Sequence, residues 1–136
     1  MCKDTTTQHA DIDQVIERLI ASLMNEQPTE EELQAFETLR HERKARQGKA
    51  LFHPGRLLCT PGAMDSVTPE EMMRAFARHL NGDWGEVCRE DWLENELSLK
   101  QGFRLFSVYN AANGTRFWVI TEADRSVTTV LLPSEY

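Results

Sequence analysis

The chain has 136 residues, of which 40% are hydrophobic and 27% are charged, and its formal net charge is −7. This composition suits one globular domain and contains no apolar run near the roughly 20 residues that a membrane-spanning helix needs. The negative charge argues against general affinity for nucleic acid, because binding to phosphates needs clustered lysine and arginine, and it suits a partner with a basic surface.

The N-terminus and the cysteines bear on the compartment. The first eight residues are polar and lack the apolar core of a secretory signal. Cys2, Cys59 and Cys88 are widely spaced and odd in number, which favours reduced thiols over a disulfide framework. We therefore expect a cytoplasmic protein.

Residues 11–48 predict a helical hairpin, preceded by a flexible N-terminus at 1–10. Apolar side chains recur at three- and four-residue intervals in the first half, which is typical of an amphipathic helix. Thr29, with Glu32 three residues later, has the spacing of a capping box and predicts the start of the second helix. Gly48 predicts its end.

Residues 51–136 predict an α+β domain. A short strand is indicated at 56–60, ended by Pro61 and Gly62. The strongest local signal follows, where Thr68 begins a second capping box and a proline occupies the first helical position. Four apolar residues form the expected buried face of this helix: Met72, Met73, Phe76 and Leu80.

A further helix is predicted over 84–99, and the rest of the chain reads as a β-meander. Its three strands lie at 103–109, 115–121 and 127–132, with an Asn-Gly hairpin turn after the first. Four consecutive apolar residues from Phe117 indicate that the middle strand is buried on both faces.

The predicted fold class is α+β. A three- to four-stranded antiparallel sheet, formed by the C-terminal meander and the strand at 56–60, packs with helices and follows the N-terminal helical hairpin. We expect the helices after Thr68 to cover one face of this sheet and the N-terminal hairpin to cover the other.

An acidic segment after Gly82 is the leading candidate for a partner-binding surface. On the predicted helix, Glu86, Glu90 and Glu94 share one face at i, i+4 spacing, where they either keep the helix solvated or dock onto a basic groove. Asp83 and Trp84 precede them. Trp84 is flanked by glycines, so its ring is either presented outward or packed where two helices meet.

The polar turn between the last two strands is a second candidate surface. It contains Glu122, Asp124 and Arg125, and we expect Arg125 to pair with Glu122 and orient the turn. As an alternative function, a small hydrolase or nuclease would use His79 with Asp83 as an acid–base pair, together with Glu122 and Asp124. The competing interpretation of His79 is a polar residue near a helix C-terminus, where a cation is favourable.

No metal or cofactor is expected, because no two histidines share metal-ligand spacing and no CxxC motif accompanies them. A basic segment at 40–49 leaves further alternatives open. It contains Arg40, Arg43, Lys44 and Arg46, which either complement a helix dipole, bind DNA as an accessory factor, or meet the acidic segment of a second copy in a homodimer.

The chain contains three distinctive segments: 55–63 (GRLLCTPGA), 78–85 (RHLNGDWG) and 118–133 (WVITEADRSVTTVLLP). These segments resemble a family of small bacterial proteins carried on plasmids and prophages. Members are often labelled "plasmid-related protein" or "type I restriction endonuclease subunit M-like". The resemblance covers roughly 55–136. The chain lacks the cofactor loop and the Asn-Pro-Pro-Phe-type motif of a modification methyltransferase, so that activity is not expected.

The resemblance implies a setting in which small acidic proteins act against host defence systems. We therefore expect a non-enzymatic interaction protein of mobile-element origin, which modulates or inhibits a bacterial nucleic-acid-handling or defence complex of the restriction or CRISPR type. Its partner would be a protein or ribonucleoprotein with a basic surface.

Overall fold

A computed structural model describes residues 27–136 and the two separate positions Glu17 and Ala21. The predicted flexible N-terminus and the first helix of the hairpin therefore lie outside the described residues. The elements of the described part are, in order, α1 (Glu30–Ala45), β1 (Arg56–Cys59), α2 (Pro61–Ser66), α3 (Pro69–Leu80), α4 (Arg89–Gln101), β2 (Leu105–Asn110), β3 (Arg116–Thr121), β4 (Val127–Leu131) and a 3₁₀ turn (Pro133–Glu135).

The predicted starts of α1 and α3 are confirmed. Thr29 is the N-cap of α1 and its hydroxyl accepts a hydrogen bond from the amide of Glu32. Thr68 and Glu71 form a complete capping box at α3, and each side chain bonds the other residue's backbone amide. These bonds satisfy amides that a helix start leaves without intrahelical partners.

Pro61 was predicted to end a strand, and it also begins the short helix α2, which the sequence analysis missed. Thr60 is the N-cap of α2, and its hydroxyl accepts from the amide of Ala63. A proline directly after a threonine is therefore a helix start here, as it is at α3. On α3, Met73 is 62% exposed, so its assignment to the buried face was wrong.

The helix predicted over 84–99 begins five residues later, at Arg89. Residues before it instead pair with the edge of the sheet, where Gly85 forms a β-bridge with Val108. Gly85 has a φ of 75°, and a Cβ atom there would collide with the carbonyl oxygen of Val108. The glycine thus permits a close backbone approach that helical periodicity does not reveal.

The sheet has the order β1-β4-β3-β2. The pairs β2–β3 and β3–β4 are antiparallel, which confirms the meander, and β1 joins as a fourth strand. However, β1 runs parallel to β4, so the sheet is mixed and the prediction of an antiparallel sheet was wrong on this strand. The helices α2, α3 and α4 and the strands β2 and β3 lie between β1 and β4 in the sequence, and together they provide the long connection that a parallel pairing requires.

The described helices pack against one face of the sheet. On this face, Phe117 and Val119 share a core cluster with residues of α2 and α3. Leu105 shares a second cluster with Phe36 and Leu39 of α1 and with residues of α4. Placing the hairpin on the opposite face was therefore wrong for α1, which packs on the same side as α3.

The opposite face carries Phe106 and Trp118, whose rings meet edge to face with centroids 5.0 Å apart. The ring of Tyr136 packs against Trp118 from the C-terminus. Ile120 is buried on this face, which agrees with the prediction that the middle strand is buried on both sides.

Candidate functional site

Two of the predicted partner-binding residues, Asp83 and Trp84, lie in the interior. Asp83 is buried and accepts hydrogen bonds from the Arg78 guanidinium, 2.7 Å away, and from the amide of Gly85. Trp84 is fully buried beside Phe52 and His79. Neither side chain is available to a partner, so both are removed from the candidate surface, and Trp84 fits the alternative of a packed core residue.

The indole of Trp84 is part of a buried charged centre with Glu96. Its Nε1–H donates to the Glu96 carboxylate over 3.1 Å, and the Arg43 guanidinium donates to both carboxylate oxygens, at 2.5 and 3.0 Å. Burial raises the pKa of Glu96, while the Arg43 charge and these hydrogen bonds act against that rise. The bidentate pair joins α1 to α4 across 53 residues of sequence.

The contacts of this basic segment bear on two of its three interpretations, DNA binding and contact with the acidic segment of a second copy. Arg43 meets the acidic segment of its own chain, and Arg46 donates to the side-chain oxygen of Asn81 over 2.6 Å. Arg40 pairs with Glu37 and lies over the rings of Phe36 and Trp92. Three of the four cations are therefore engaged within the chain, which argues against a free DNA-binding stripe at 40–49.

The remaining carboxylates of the acidic segment point outward. Glu86, Glu90 and Glu94 are all exposed. In the described part of the chain, no cation forms a salt bridge with Glu86 or Glu94, and Glu90 has only its neighbour Arg89 at 3.5 Å. Glu86 precedes α4, so the predicted single helical row was wrong and the row on α4 contains Glu90 and Glu94.

Beside that row, a groove of about 480 Å³ runs between α4 and the strand β2. Asp91 and Glu94 supply its two carboxylates, and Phe103, which is 52% exposed, is among its apolar residues. Arg104 also lines the groove, and its guanidinium donates to the Tyr136 hydroxyl and lies over the Tyr136 ring. We call Asp91, Glu94 and Phe103 of the groove, together with the exposed Glu90 one helical turn before Glu94, the acidic groove. Asp91 belongs to the acidic segment but was not chosen as a site residue, and Phe103 was predicted to begin the first meander strand, which instead begins at Leu105.

The second candidate surface, the turn between β3 and β4, is only partly available. Glu122 and Asp124 are exposed, and hydrogen bonds from Ser126 hold the pKa of Asp124 below its ordinary value. Arg125, however, donates to the carbonyl oxygens of Ser98 and Phe103 and to two carbonyls of its own turn. It therefore orients the turn as predicted, through the Glu122 carbonyl instead of the Glu122 carboxylate, and its guanidinium is committed within the chain.

The four residues of the hydrolase alternative do not assemble. His79 is fully buried and bonds the hydroxyls of Ser107 and Thr121, at 2.6 and 2.9 Å. Asp83 is engaged by Arg78, and Glu122 and Asp124 lie in the exposed turn. A general base must reach a substrate proton, and His79 has no access to solvent, so the geometry gives this catalytic set no support.

The hydrogen bonds around His79 fix its protonation. Thr128 donates to the carbonyl of Pro54, so Thr121 must donate to Thr128 and accept from Nε2–H of His79. Because burial keeps the ring neutral, Nδ1 carries no proton and accepts from the Ser107 hydroxyl. Burial lowers the pKa of His79 to about 3, with a further contribution from the charge of Arg125. His79 does lie in the last turn of α3, near a helix C-terminus as the competing interpretation had it, but it is a neutral core residue and not a cation there.

No group of three histidine, cysteine or carboxylate side chains in residues 27–136 is arranged to hold a metal ion. Nor does any helix in that part of the chain combine the length and apolar character needed to cross a bilayer.

No protein-family model, no curated protein and no solved structure matches the chain.

Proposed function

We propose that the chain is a non-catalytic binding protein that uses the acidic groove to dock onto a basic surface of a bacterial nucleic-acid-handling complex. The observation that carries this proposal is that some of its carboxylates are buried in ion pairs while others are exposed. The acids that the fold needs, Asp83 and Glu96, are buried with arginines, while Glu90 and Glu94 are exposed, and Glu94 lines a groove of mixed polar and apolar residues.

The chemistry of the groove defines the partner. Carboxylates on successive helical turns present regularly spaced negative charge, which suits a channel that otherwise binds phosphates. The exposed ring of Phe103 adds an apolar contact, and aromatic anchors beside charged rims are typical of protein interfaces. In keeping with the resemblance of residues 55–136, we propose a mobile-element protein that acts in the cytoplasm on a restriction or CRISPR-type complex.

The test uses charge reversal in the acidic groove. The groove variant carries Glu90→Lys and Glu94→Lys on α4, and the control variant carries Glu31→Lys and Glu42→Lys on α1. The two variants change the net charge equally and at exposed positions. Each variant also places one lysine in the first turn of a helix. Each bait captures proteins from a bacterial lysate. The captured complex is then purified, and its affinity for each bait is measured by calorimetry.

We expect the groove variant to bind at least about tenfold more weakly than the control variant, because like charges would face each other across the interface. A short DNA duplex should compete with the wild-type protein, since both would occupy the same basic channel. Equal binding by both variants, or a complex that duplex DNA leaves intact, would exclude the proposal.

A further inference from the structure

The edge strand β1 presents unpaired backbone groups. The Thr60 amide donates to the Val130 carbonyl of β4, and the Arg56 amide donates to the carbonyl of Ser126 directly before β4, so the even-numbered residues of β1 face β4. In a strand, alternate residues direct their N–H and C=O groups to opposite sides. The amides and carbonyls of Leu57 and Cys59 therefore point away from the sheet, and no residue of the described chain bonds them.

The opposite edge of the sheet is closed. At β2, Asn95 bonds both the amide and the carbonyl of Phe106 through its side chain. The Val108 amide donates to the carbonyl of Trp84, and the Val108 carbonyl accepts from the amide of Glu86. The chain thus covers one sheet edge with dedicated contacts and leaves β1 without them, although an open edge is a ready template for another strand.

The side chains of β1 fit an interface. Leu57 is 47% exposed and Leu58 is 40% exposed, one on each face of the sheet, and Arg56 is exposed with no salt-bridge partner among the described residues. At the other end of the strand, the Thr60 hydroxyl donates to the Glu135 carboxylate over 2.6 Å. A positive and a negative group therefore flank the two leucines.

We infer that β1 pairs antiparallel with β1 of a second copy, with the two-fold axis between the two Leu58 residues. In this register Leu57 of each copy faces Cys59 of the other, which joins their outward amides and carbonyls by four hydrogen bonds. Two mixed sheets then become one continuous sheet of eight strands. The closed two-fold pairing uses the same surface on both copies.

Charge complementarity favours a second copy over an unrelated strand. Antiparallel pairing about Leu58 sets Arg56 opposite Thr60 of the other copy, and hence beside the Glu135 carboxylate there. Within one chain, Arg56 and Thr60 are four residues apart, about 13 Å along a strand, so the pair is reached only between copies. The dimer has two such ion pairs. Since the acidic groove lies next to β2, it stays free at both ends of the sheet.

The oligomeric state tests this pairing. Light scattering on a sizing column and sedimentation velocity, from micromolar to near-millimolar concentration, should show wild-type protein of twice the chain mass. The variant Leu57→Pro removes one outward amide, yet it leaves the bonds to β4 intact because that amide faces away from them. We expect this variant to be a monomer with an unchanged circular dichroism spectrum.

Charge variants test the register in which the two β1 strands pair. Arg56→Glu and Glu135→Arg should each weaken the dimer by about tenfold or more, because like charges then face each other at both ends. A mixture of these two variants should restore a dimer, since each chain supplies the charge that the other needs. A monomeric wild-type protein, a dimer that persists in Leu57→Pro, or a mixture that stays monomeric would overturn the inference.

Discussion

The two sets of carboxylates in residues 83–96 lie within a short stretch of chain and have opposite surroundings. Glu96 is buried against Arg43 and the Trp84 indole, whereas Glu94, two residues earlier, is exposed without a salt-bridge partner among the described residues. A helix turns by about 100° per residue, so neighbouring acids face different surroundings. Net charge alone therefore does not measure the charge that a partner meets.

The largest expected effect comes from neutralising the buried acid. Glu96→Gln leaves the Arg43 guanidinium mostly buried without its counter-charge. Removal of one partner from a buried ion pair typically costs about 3 kcal/mol or more of the free energy of unfolding. Urea denaturation followed by circular dichroism measures the loss.

A double variant separates the pair from simple damage to the core. If the cost comes from the uncompensated arginine, Glu96→Gln combined with Arg43→Met should lose less stability than the sum of the two single variants. Additive losses would show that the two side chains contribute independently.

The second prediction concerns pH and the neutral buried histidine. The pKa of His79 is lowered to about 3 in the folded chain, against 6.5 for an ordinary histidine. The unfolded chain therefore binds a proton that the folded chain does not, and stability falls as pH drops through 6.5 and continues to fall towards 3. By pH 4, His79 should have cost about 3 kcal/mol relative to pH 7.

His79→Gln isolates this contribution from the carboxylates that titrate in the same range. The variant is expected to be less stable than the wild type at neutral pH, where it loses the packed ring, and to lose less stability on acidification. Parallel stability curves for the two proteins between pH 7 and pH 4 would show that His79 is not the titrating group.

Local signals in the sequence were sufficient for much of the fold. Capping residues such as Thr68 with Glu71, and the residue pattern of the meander strands, act over a few neighbouring residues. The elements that they define can therefore be predicted from the sequence alone. The parallel pairing of β1 depends on a contact between segments about 70 residues apart. The residue pattern of a four-residue strand contains no information about that contact.

The candidate site was predictable only in part, for a related reason. Composition placed the acids correctly near α4, but their burial depends on Arg43 and on the sheet edge, which approach from distant parts of the chain. Gly85 permits the strand-like pairing that delays the helix to Arg89, and this turned a predicted row of three glutamates into two. Residues can be assigned to one helical face only if the first residue of the helix is known, and here tertiary contacts determine where the helix begins.

The smallest expected effect on stability is the sharpest test of the contrast between the two sets of acids. Glu90→Gln with Glu94→Gln makes the same chemical change as Glu96→Gln at exposed positions six and two residues earlier on the same helix. Surface substitutions of this kind usually change stability by less than about 0.5 kcal/mol each. Glu90 accounts for most of any loss, because a negative charge in the first turn of a helix interacts favourably with the helix dipole. If unfolding of this variant instead costs as much as that of Glu96→Gln, the exposed acids serve the fold, and the acidic groove no longer has a charge set aside for a partner.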